Sequence, residues 1–510
     1  MATQNNTKKI AKNTAVLYVR MILTMIITLY SSRIILRALG FEDFGLYNVV
    51  GGVVALLSFL RTSLTSSTQR FLSFELGRDN IEQLKKVFSV SVSTHWIISI
   101  IILILAETLG LWFISTQIQI PEGREIAAYW IYQFSVLSLC IGTITVPYNA
   151  DVISHEKMTF YAVVSIIDAV LKLAFAYALF VFGVDRLILY GGLMLLVNVI
   201  NFILYWFFCR IKFSESKYHF YFEKDLFARI FSFSSWTIIG QLSVVGANQG
   251  TMVLVNVFYS VIANASMGIA QQVNNALTGL TANFQTAFQP QLTKSYAAGD
   301  FDYMNQLIYK ASKMSFFLLF LVSLPVMMNI DFVLTLWLVK VPEYANEFCI
   351  WYIIASLFNA VSAPLWISVF ATGKIRNYQI VVSTIFFSDV LIVYWVFTHI
   401  YCSPVVAMIV KTLINLIVVI IRLVYAKITL PEFSIFSYLK NVIFPITVIG
   451  FITIAMVCLA FEIGMNSWFA FGNTTIIVII SCFMSYRFGL TFSERKKITQ
   501  ILLNKIRKQY

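Results

Sequence analysis

The stretch NTAVLYVRMILTMIITLYSSRIILR (13–37) decides the fold class. It exceeds the roughly 20 apolar residues that a helix needs to cross the hydrocarbon core of a bilayer. Lys8, Lys9 and Lys12 precede it, as in a secretory signal. The apolar run is too long for one, however, carries Arg20 and Arg33, and lacks a small-residue cleavage site. It reads as a retained first transmembrane helix. Composition carries this outward to the whole chain. Of 510 residues, 59% are apolar, 16% aromatic and only 12% charged, and the mean hydropathy is +0.80. Soluble domains carry about 25% charged residues. A soluble enzyme and a disordered scaffold are thereby excluded, because so few charges cannot cover a water-facing surface of this size.

An all-α polytopic membrane protein with fourteen spans is expected. The spans fall near 13–37, 44–67, 87–113, 126–148, 159–182, 187–208, 229–257, 265–288, 311–338, 346–370, 378–399, 404–426, 441–462 and 468–487. The eighth is the least apolar. Runs of this length are wrong for a β-barrel.

The net charge of +13 arises from 37 Lys and Arg against 24 Asp and Glu. With the N-terminus inside, 27 of these bases fall in inside segments, four in outside loops and six within spans. This asymmetry sets orientation. It predicts both termini on the cytoplasmic side, and it accounts for the charge without nucleic acid. The longest internal loop, 209–228, is too short for a catalytic domain, and no Walker or Gly-rich phosphate motif occurs. The chain is expected not to be an enzyme, to carry no cofactor and not to be driven by ATP on its own. The six cysteines lie in or beside apolar runs without a CxxC pair. The four histidines are far apart, so no metal site is expected.

Two stretches resemble each other at an offset of about 220: TQRFLSFELGRDNIEQLKKVFSVS (68–91) and FQPQLTKSYAAGDFDYMNQLIYKAS (288–312). Each follows a second span, contains a Gln (Gln69, Gln289), and reaches a Gly with a nearby Asp (Gly77 and Asp79, Gly299 and Asp300). A six-span unit repeats with the same orientation, so the two copies would be related by a pseudo-two-fold axis along the membrane normal. The expected domains are an N-lobe (1–208), a cytoplasmic linker (209–228), a C-lobe (229–426), and two extra spans with a basic cytoplasmic tail (427–510).

The run SSRIILRALGFEDFGLYNVVGGVVALLSFL (31–60), with TSSTQRFLSFELG (65–77), resembles the opening of bacterial Wzx-like polysaccharide or O-antigen flippases. These belong to the multidrug/oligosaccharidyl-lipid/polysaccharide exporter superfamily. The LG-xx-xFG-LY pattern and the later QRF carry the resemblance, and the 6+6+2 layout extends it over the chain. It implies a flippase with a cavity between two lobes. The superfamily also holds lipid II flippases of the MurJ kind and multidrug exporters.

Charges within spans are costly and usually face a cavity or a partner. Arg20, Thr24, Thr28 and Ser31 form one stripe of span 1. Arg61, with Ser58 a turn before it, reaches a similar depth in span 2. Two arginines at one level could grip a pyrophosphate through forked hydrogen bonds, or each could snorkel to the headgroups. The MurJ resemblance implies cavity roles for Arg61 and Arg33, with interfacial anchoring as the rival for Arg33. Asp168 and Lys172, one turn apart in span 5, are either a self-neutralising pair or a switch that frees Lys172 for phosphate. Spans 7 and 8 are uncharged but polar: Ser234, Gln241 and Asn248, then Gln271, Asn275, Thr278, Gln285 and Gln289. These suit sugar hydroxyls or helix–helix contacts. Asp389 in span 11 should lie near Lys411 and Asn415 of span 12, where Arg422 shares the face. Sodium-coupled relatives hold their ion in this region, and Lys411 could take the place of a cation. Pro325, Pro364 and Pro445 should kink their spans.

The leading expectation is a flippase of the bacterial cytoplasmic (inner) membrane. It moves an undecaprenyl-pyrophosphate-linked oligosaccharide to the outer leaflet by alternating access, as a monomer among membrane lipids and glycan-assembly proteins. Coupling to H+, Na+ or membrane potential is left open. The alternatives are a multidrug antiporter of the same fold and a lipid II flippase. Spans 1–6 hold four bases (Arg20, Arg33, Arg61, Lys172) against two acids (Asp168, Glu107), the reverse of what a cationic drug requires.

Overall fold

The computed structural model describes residues 2–489 and 495, apart from 56–57, 118–119, 121–122, 183–184, 220, 222, 339–340, 401 and 463–466. Every regular element among them is helical. In order these are α1 (Ala2–Ala55), α2 (Ser58–Gly77), α3 (Ile81–Leu105), α4 (Leu111–Gln117), α5 (Glu125–Ser154), α6 (Met158–Ala178), α7 (Arg186–Lys212), α8 (Lys224–Phe258) and α9 (Val261–Ala297). They continue as α10 (Phe301–Met328), α11 (Ile330–Leu338), α12 (Ala345–Thr372), α13 (Arg376–His399), α14 (Val406–Thr429), α15 (Ile435–Tyr438), α16 (Phe444–Glu462) and α17 (Ser467–Met484).

Eleven helices among the described residues are long and apolar enough to cross a membrane, which makes this a multi-pass membrane protein. Fourteen were expected, and the shortfall has physical causes. No loop separates the first two spans. Instead α1 runs through a kink at Gly40, whose φ of 79° and ψ of 174° suit a residue without Cβ. The second span then continues into α2 beyond 56–57. Helix α9 is 37 residues long, but its amides and hydroxyls make it too polar to count. The last expected span, 468–487, enters only as a shorter apolar helix, Thr474–Arg487, and most of the basic tail lies outside the described residues. Pro325 and Pro364 sit inside α10 and α12, whereas Pro445 is only the second residue of α16.

The chain forms two compact units. One comprises residues 1–242 and 286–300, the other 243–285 and 301–510. These boundaries fall inside α8 and α9, not at the 208 and 229 borders expected for the lobes. The reason is visible in the first unit. Ser234 Oγ donates to Ser67 Oγ at 2.8 Å, and Thr237 Oγ1 to the Ser63 carbonyl at 3.5 Å, so the start of α8 packs on α2. The core of this unit gathers Leu46, Val50, Ile102, Ile131, Tyr132 and Leu187. The second unit has its own core of Val255, Met267, Leu334, Phe348, Tyr352 and Met408.

The two similar stretches fold alike where they leave their helices. After α2, the Asn80 amide donates to the Glu75 carbonyl, with Asp79 at φ 52°. After α9, the Asp300 amide donates to the Ser295 carbonyl, with Gly299 at φ 74°. Both are six-to-one helix stops with a left-handed residue in the same place, 220 residues apart. The two ends also touch. A Cβ on Gly77 would stand 2.9 Å from the Ala297 Cβ and 2.7 Å from the Lys294 backbone. Gly77 and Ala297 are themselves 220 apart, so equivalent positions of the two stretches are in contact. Backbone cannot yield as a side-chain tip does, so Gly77 is fixed by this approach.

Candidate functional site

In the first unit α1, α2, α5, α6 and α7 converge on a polar cluster. Arg20 of α1 donates from Nη1 to Ser165 Oγ at 3.3 Å, and its guanidinium lies 4.8 Å over the Tyr161 ring. Arg61 of α2 is exposed yet held among helices: a Cβ on Gly142 of α5 would come within 2.9 Å of its Nη1. Asp168, Tyr161 and Tyr205 are within electrostatic range of Arg61. Tyr205 is also within range of Arg20, and it hydrogen-bonds Asn149. The two arginines therefore share Tyr161 and Tyr205 as neighbours. One turn along α6, Lys172 Nζ and Asp168 Oδ2 are 2.8 Å apart, and Asn201 Nδ2 donates to Asp168 Oδ1 at 2.7 Å. Lys172 remains 44% exposed, so its ammonium retains access to space beyond its partner.

The other residues expected to line a cavity divide. Thr24 and Ser31 donate to their own helix, at the carbonyls of Met21 and Ile27. Thr28 is exposed on the same stripe. Arg33 is exposed, lies thirteen residues and so about 20 Å further along α1 than Arg20, and joins no hydrogen bond or ion pair among the described residues. The Ser58 side chain lies outside the described residues. Gln241 is half-buried.

In the second unit Lys411 of α14 donates to Asn248 Oδ1 of α8 and lies 4.8 Å over the Tyr352 ring. Asp389 of α13 is buried, accepts from Thr251 Oγ1 at 3.4 Å, and leaves Oδ1 without a hydrogen bond. Asp389 and Lys411 interact electrostatically but not as a contact ion pair, because Asn248 holds the ammonium. Asn415 donates back to the Lys411 carbonyl. Arg422 is buried elsewhere on α14, bonded to Tyr378, Asn359 and Ser362. On α9, Asn275 is exposed and Gln271 and Gln285 are half-buried, whereas Asn274 accepts from Ser356 at 2.8 Å.

Three charge clusters lie outside the sites expected from the sequence. Arg124 donates from Nε to Asp43 at 2.8 Å and from Nη1 to Asp185 at 2.5 Å, which ties α1 just past its Gly40 kink to the starts of α5 and α7. Glu156, at the turn after α5, has a fully enclosed side chain and sits at φ 58°. It accepts from Lys294 Nζ at 2.8 Å and Gln291 Nε2 at 2.7 Å, and pairs with Lys9 at 3.0 Å. The third cluster joins His155 to Asp151 at 3.2 Å and to Glu215 at 3.0 Å. Its three ligand-type atoms lie within 4.8 Å of one another, a spacing a divalent cation could use, and this departs from the expectation of no metal cluster. Asp151 and His155 are four apart at the end of α5, which corrects the expectation that no histidine stands at i, i+4 with another ligand-type residue. With both ring nitrogens facing carboxylates, the imidazolium itself supplies the cation.

That arrangement has a pH signature. Burial disfavours the His155 imidazolium, but hydrogen bonds to Asp151 and Glu215 outweigh it and raise the pKa from 6.5 to about 9. Burial likewise opposes Glu215 ionisation, yet the bond to His155 holds it below its ordinary 4.5. A raised histidine stabilises fully below its unfolded pKa, and the gain fades as pH rises through the folded value. The lowered carboxyl acts in reverse, losing its contribution as pH falls. Thermal stability of the purified protein should therefore decline between about pH 6.5 and 9, and His155→Ala should flatten that limb. An unchanged slope in the variant would refute the assignment.

Tyr161, Ser165, Asn201, Tyr205 and Gly142 went unmarked in the sequence, although Tyr161, Ser165, Asp168 and Lys172 recur at helical spacing on one face of α6.

No protein-family model and no curated protein matches the chain. Solved structures do. A multidrug resistance MATE family transporter of the MOP superfamily, in an outward-facing conformation, superposes with a TM-score of 0.67 at 15% identity, covering 82% of this chain and 95% of that one. A MOP superfamily transporter from Pyrococcus furiosus, whose binding pocket is described as reversed in polarity with a different function suggested, gives 0.67 at 14% identity over 82% and 95%. A variant of the Vibrio cholerae MATE transporter VcmN gives 0.68 at 15% identity over 83% and 97%. At this identity the likeness concerns the backbone. The chain has the fold of the MATE transporters of the MOP superfamily.

Proposed function

We propose that this chain is a flippase for a lipid-linked, phosphate-bearing glycan, moved from the cytoplasmic to the outer leaflet by alternating access. The observation that carries this is the pairing of Arg20 and Arg61 around Tyr161 and Tyr205, with the accessible Lys172 a turn away. Two guanidinium forks and an ammonium match a pyrophosphate, and tyrosine and asparagine suit sugar hydroxyls. Asp168 holds Lys172 when no anion is present and would release it when one enters. On this reading the protein resides in a bacterial inner membrane and works beside glycan-assembly proteins.

The second reading is a small-molecule exporter. The multidrug transporters among the similar folds and the unbonded Oδ1 of Asp389 favour it. Proteoliposomes separate the two. Vesicles loaded with fluorescent undecaprenyl-pyrophosphate oligosaccharide should show protein-dependent exposure of the headgroup, while cationic dye efflux stays at background. Dye efflux without headgroup movement would overturn the flippase reading.

A further inference from the structure

On the cytoplasmic side of the first unit, the start of α1, the start of α6 and the end of α7 enclose a groove of about 480 Å³. Lys9, Lys12 and Lys157 rim it, Asn13 forms its floor, and Phe160 and Phe208 form an apolar wall. His155 and Glu156 also reach it, but both are engaged: His155 lies between Asp151 and Glu215, and Glu156 is neutralised by Lys294 and Lys9. Lys12 and Lys157 are exposed and join no ion pair among the described residues. The rim is thus positive, with no free acid facing it.

Two further features point to an anion. Asn13 is 5% exposed, yet its Nδ2 has no hydrogen-bond partner. A buried amide donor left unmade is expensive, so an acceptor at this place is worth more than the same contact in water. Helix α6, 21 residues long, begins at the groove with Lys157 at its N-cap and no side-chain cap. Its first backbone N–H groups are thus free for an acceptor, and the helix dipole adds positive potential there.

The apolar wall selects among phosphates. Phe160 and Phe208 stack face to face with centroids 3.6 Å apart. Next to them Val163, Phe207 and Ile211 are exposed at 47%, 59% and 62%. A free phosphate would leave this surface bare, whereas acyl chains would cover it. We infer that this groove binds an anionic phospholipid of the cytoplasmic leaflet, with its phosphate between Lys12, Lys157, Asn13 Nδ2 and the start of α6, and its chains along Phe160, Phe208 and Val163. The site is separate from the Arg20–Arg61 cluster and does not depend on what the protein exports.

Native mass spectrometry of the full-length protein in detergent tests this, with phosphatidylglycerol and phosphatidylcholine of identical chains as probes. The wild type should retain one phosphatidylglycerol in strong preference. Lysines near anionic lipid contribute about 1 kcal/mol each, so Lys12→Gln with Lys157→Gln should weaken that retention roughly 10- to 30-fold. Asn13→Leu, which keeps both charges, should weaken it by a smaller factor. Lys374→Gln with Lys427→Gln, made in the other unit, should leave it intact. Equal retention of both lipids by the wild type would overturn the proposal, as would equal loss in the control pair. Displacement of the lipid by millimolar glycerol 3-phosphate would show that the headgroup alone suffices, and would overturn the lipid assignment. The lysine variants are exposed, Asn13→Leu keeps the branched shape and heavy-atom count of the buried side chain, and a monodisperse elution profile identifies any that misfolds.

Discussion

Arg61→Ala should reduce headgroup translocation by roughly 100-fold or more at limiting substrate, with protein level unchanged. Each hydrogen bond to a charged group is worth about 1.5–3 kcal/mol, and a guanidinium can give two to one phosphate. The loss is then about 3–6 kcal/mol, and the exposure of Arg61 favours the low end. Even that end corresponds to about two decades of affinity. The fold should tolerate the change, because Arg61 is exposed and its guanidinium rests against Gly142 without a buried counter-ion contact. Arg61→Lys separates charge from geometry: it keeps the cation and loses the fork, so activity should recover only in part. Arg33→Ala is the internal comparison, since Arg33 lies apart from the cluster. Equal loss in Arg33→Ala and Arg61→Ala would show that long-range charge, not the two-arginine grip, is what matters. Full activity in Arg61→Ala would remove the site.

How much of this could be read from the sequence depends on the range of the interaction. The membrane class and the helical architecture were legible, because hydropathy and charge are summed along the chain. The Asp168–Lys172 contact was legible for a related reason: four residues on a helix is a local distance. The turn chemistry at 77–80 and 297–300 was half legible, since Gly and Asp mark a helix stop but do not reveal that the two stops meet. Arg20, by contrast, finds Ser165 across 145 residues, and spacing within α1 says nothing about α6. Lys411 was placed beside Asp389 by counting turns. The structure gives its ammonium to Asn248, because a neighbouring helix brought an amide closer than the carboxylate. Helix α9, expected as the eighth and least apolar span, falls below the hydropathy of the other spans for a different reason. Its polar residues are satisfied by contacts such as Ser356 to Asn274, so the helix can be long without being apolar.

Glu156 is the sharpest case of a residue that sequence reading passes over, and it supports the second large prediction. It is one acid in a short loop, without a motif. Folding encloses it and gives it Lys294, Lys9 and Gln291, which joins the end of α9 to α1 and to the turn between α5 and α6. Burial opposes its charge, but the two ammonium groups prevail and hold its carboxyl below the usual 4.5, while burial pulls the Lys294 ammonium down. Removing the carboxylate leaves the half-buried Lys294 without its counter-charge; a fully buried pair broken this way costs about 3–5 kcal/mol, and the 23% exposure of Lys294 sets the loss at the low end. Glu156→Ala should therefore lower the thermal midpoint of the purified protein by several degrees, or leave little protein in the membrane. Glu156→Gln, which keeps an acceptor but not the charge, should lie between it and wild type. Glu156→Gly carries a further test. The residue sits at φ 58°, where glycine is relaxed and other residues are strained, so Gly should be less harmful than Ala although both lack the carboxylate. The lowered carboxyl also fixes a sign: its contribution is present above about pH 4.5 and is lost on acidification below that. Glu156→Ala should accordingly be less acid-sensitive than wild type. A variant that unfolds with the wild-type midpoint and acid profile would show that the three-way contact contributes nothing. Double substitution with Lys294→Met should recover part of the loss, because the penalty comes from the orphaned charge and not from the missing pair.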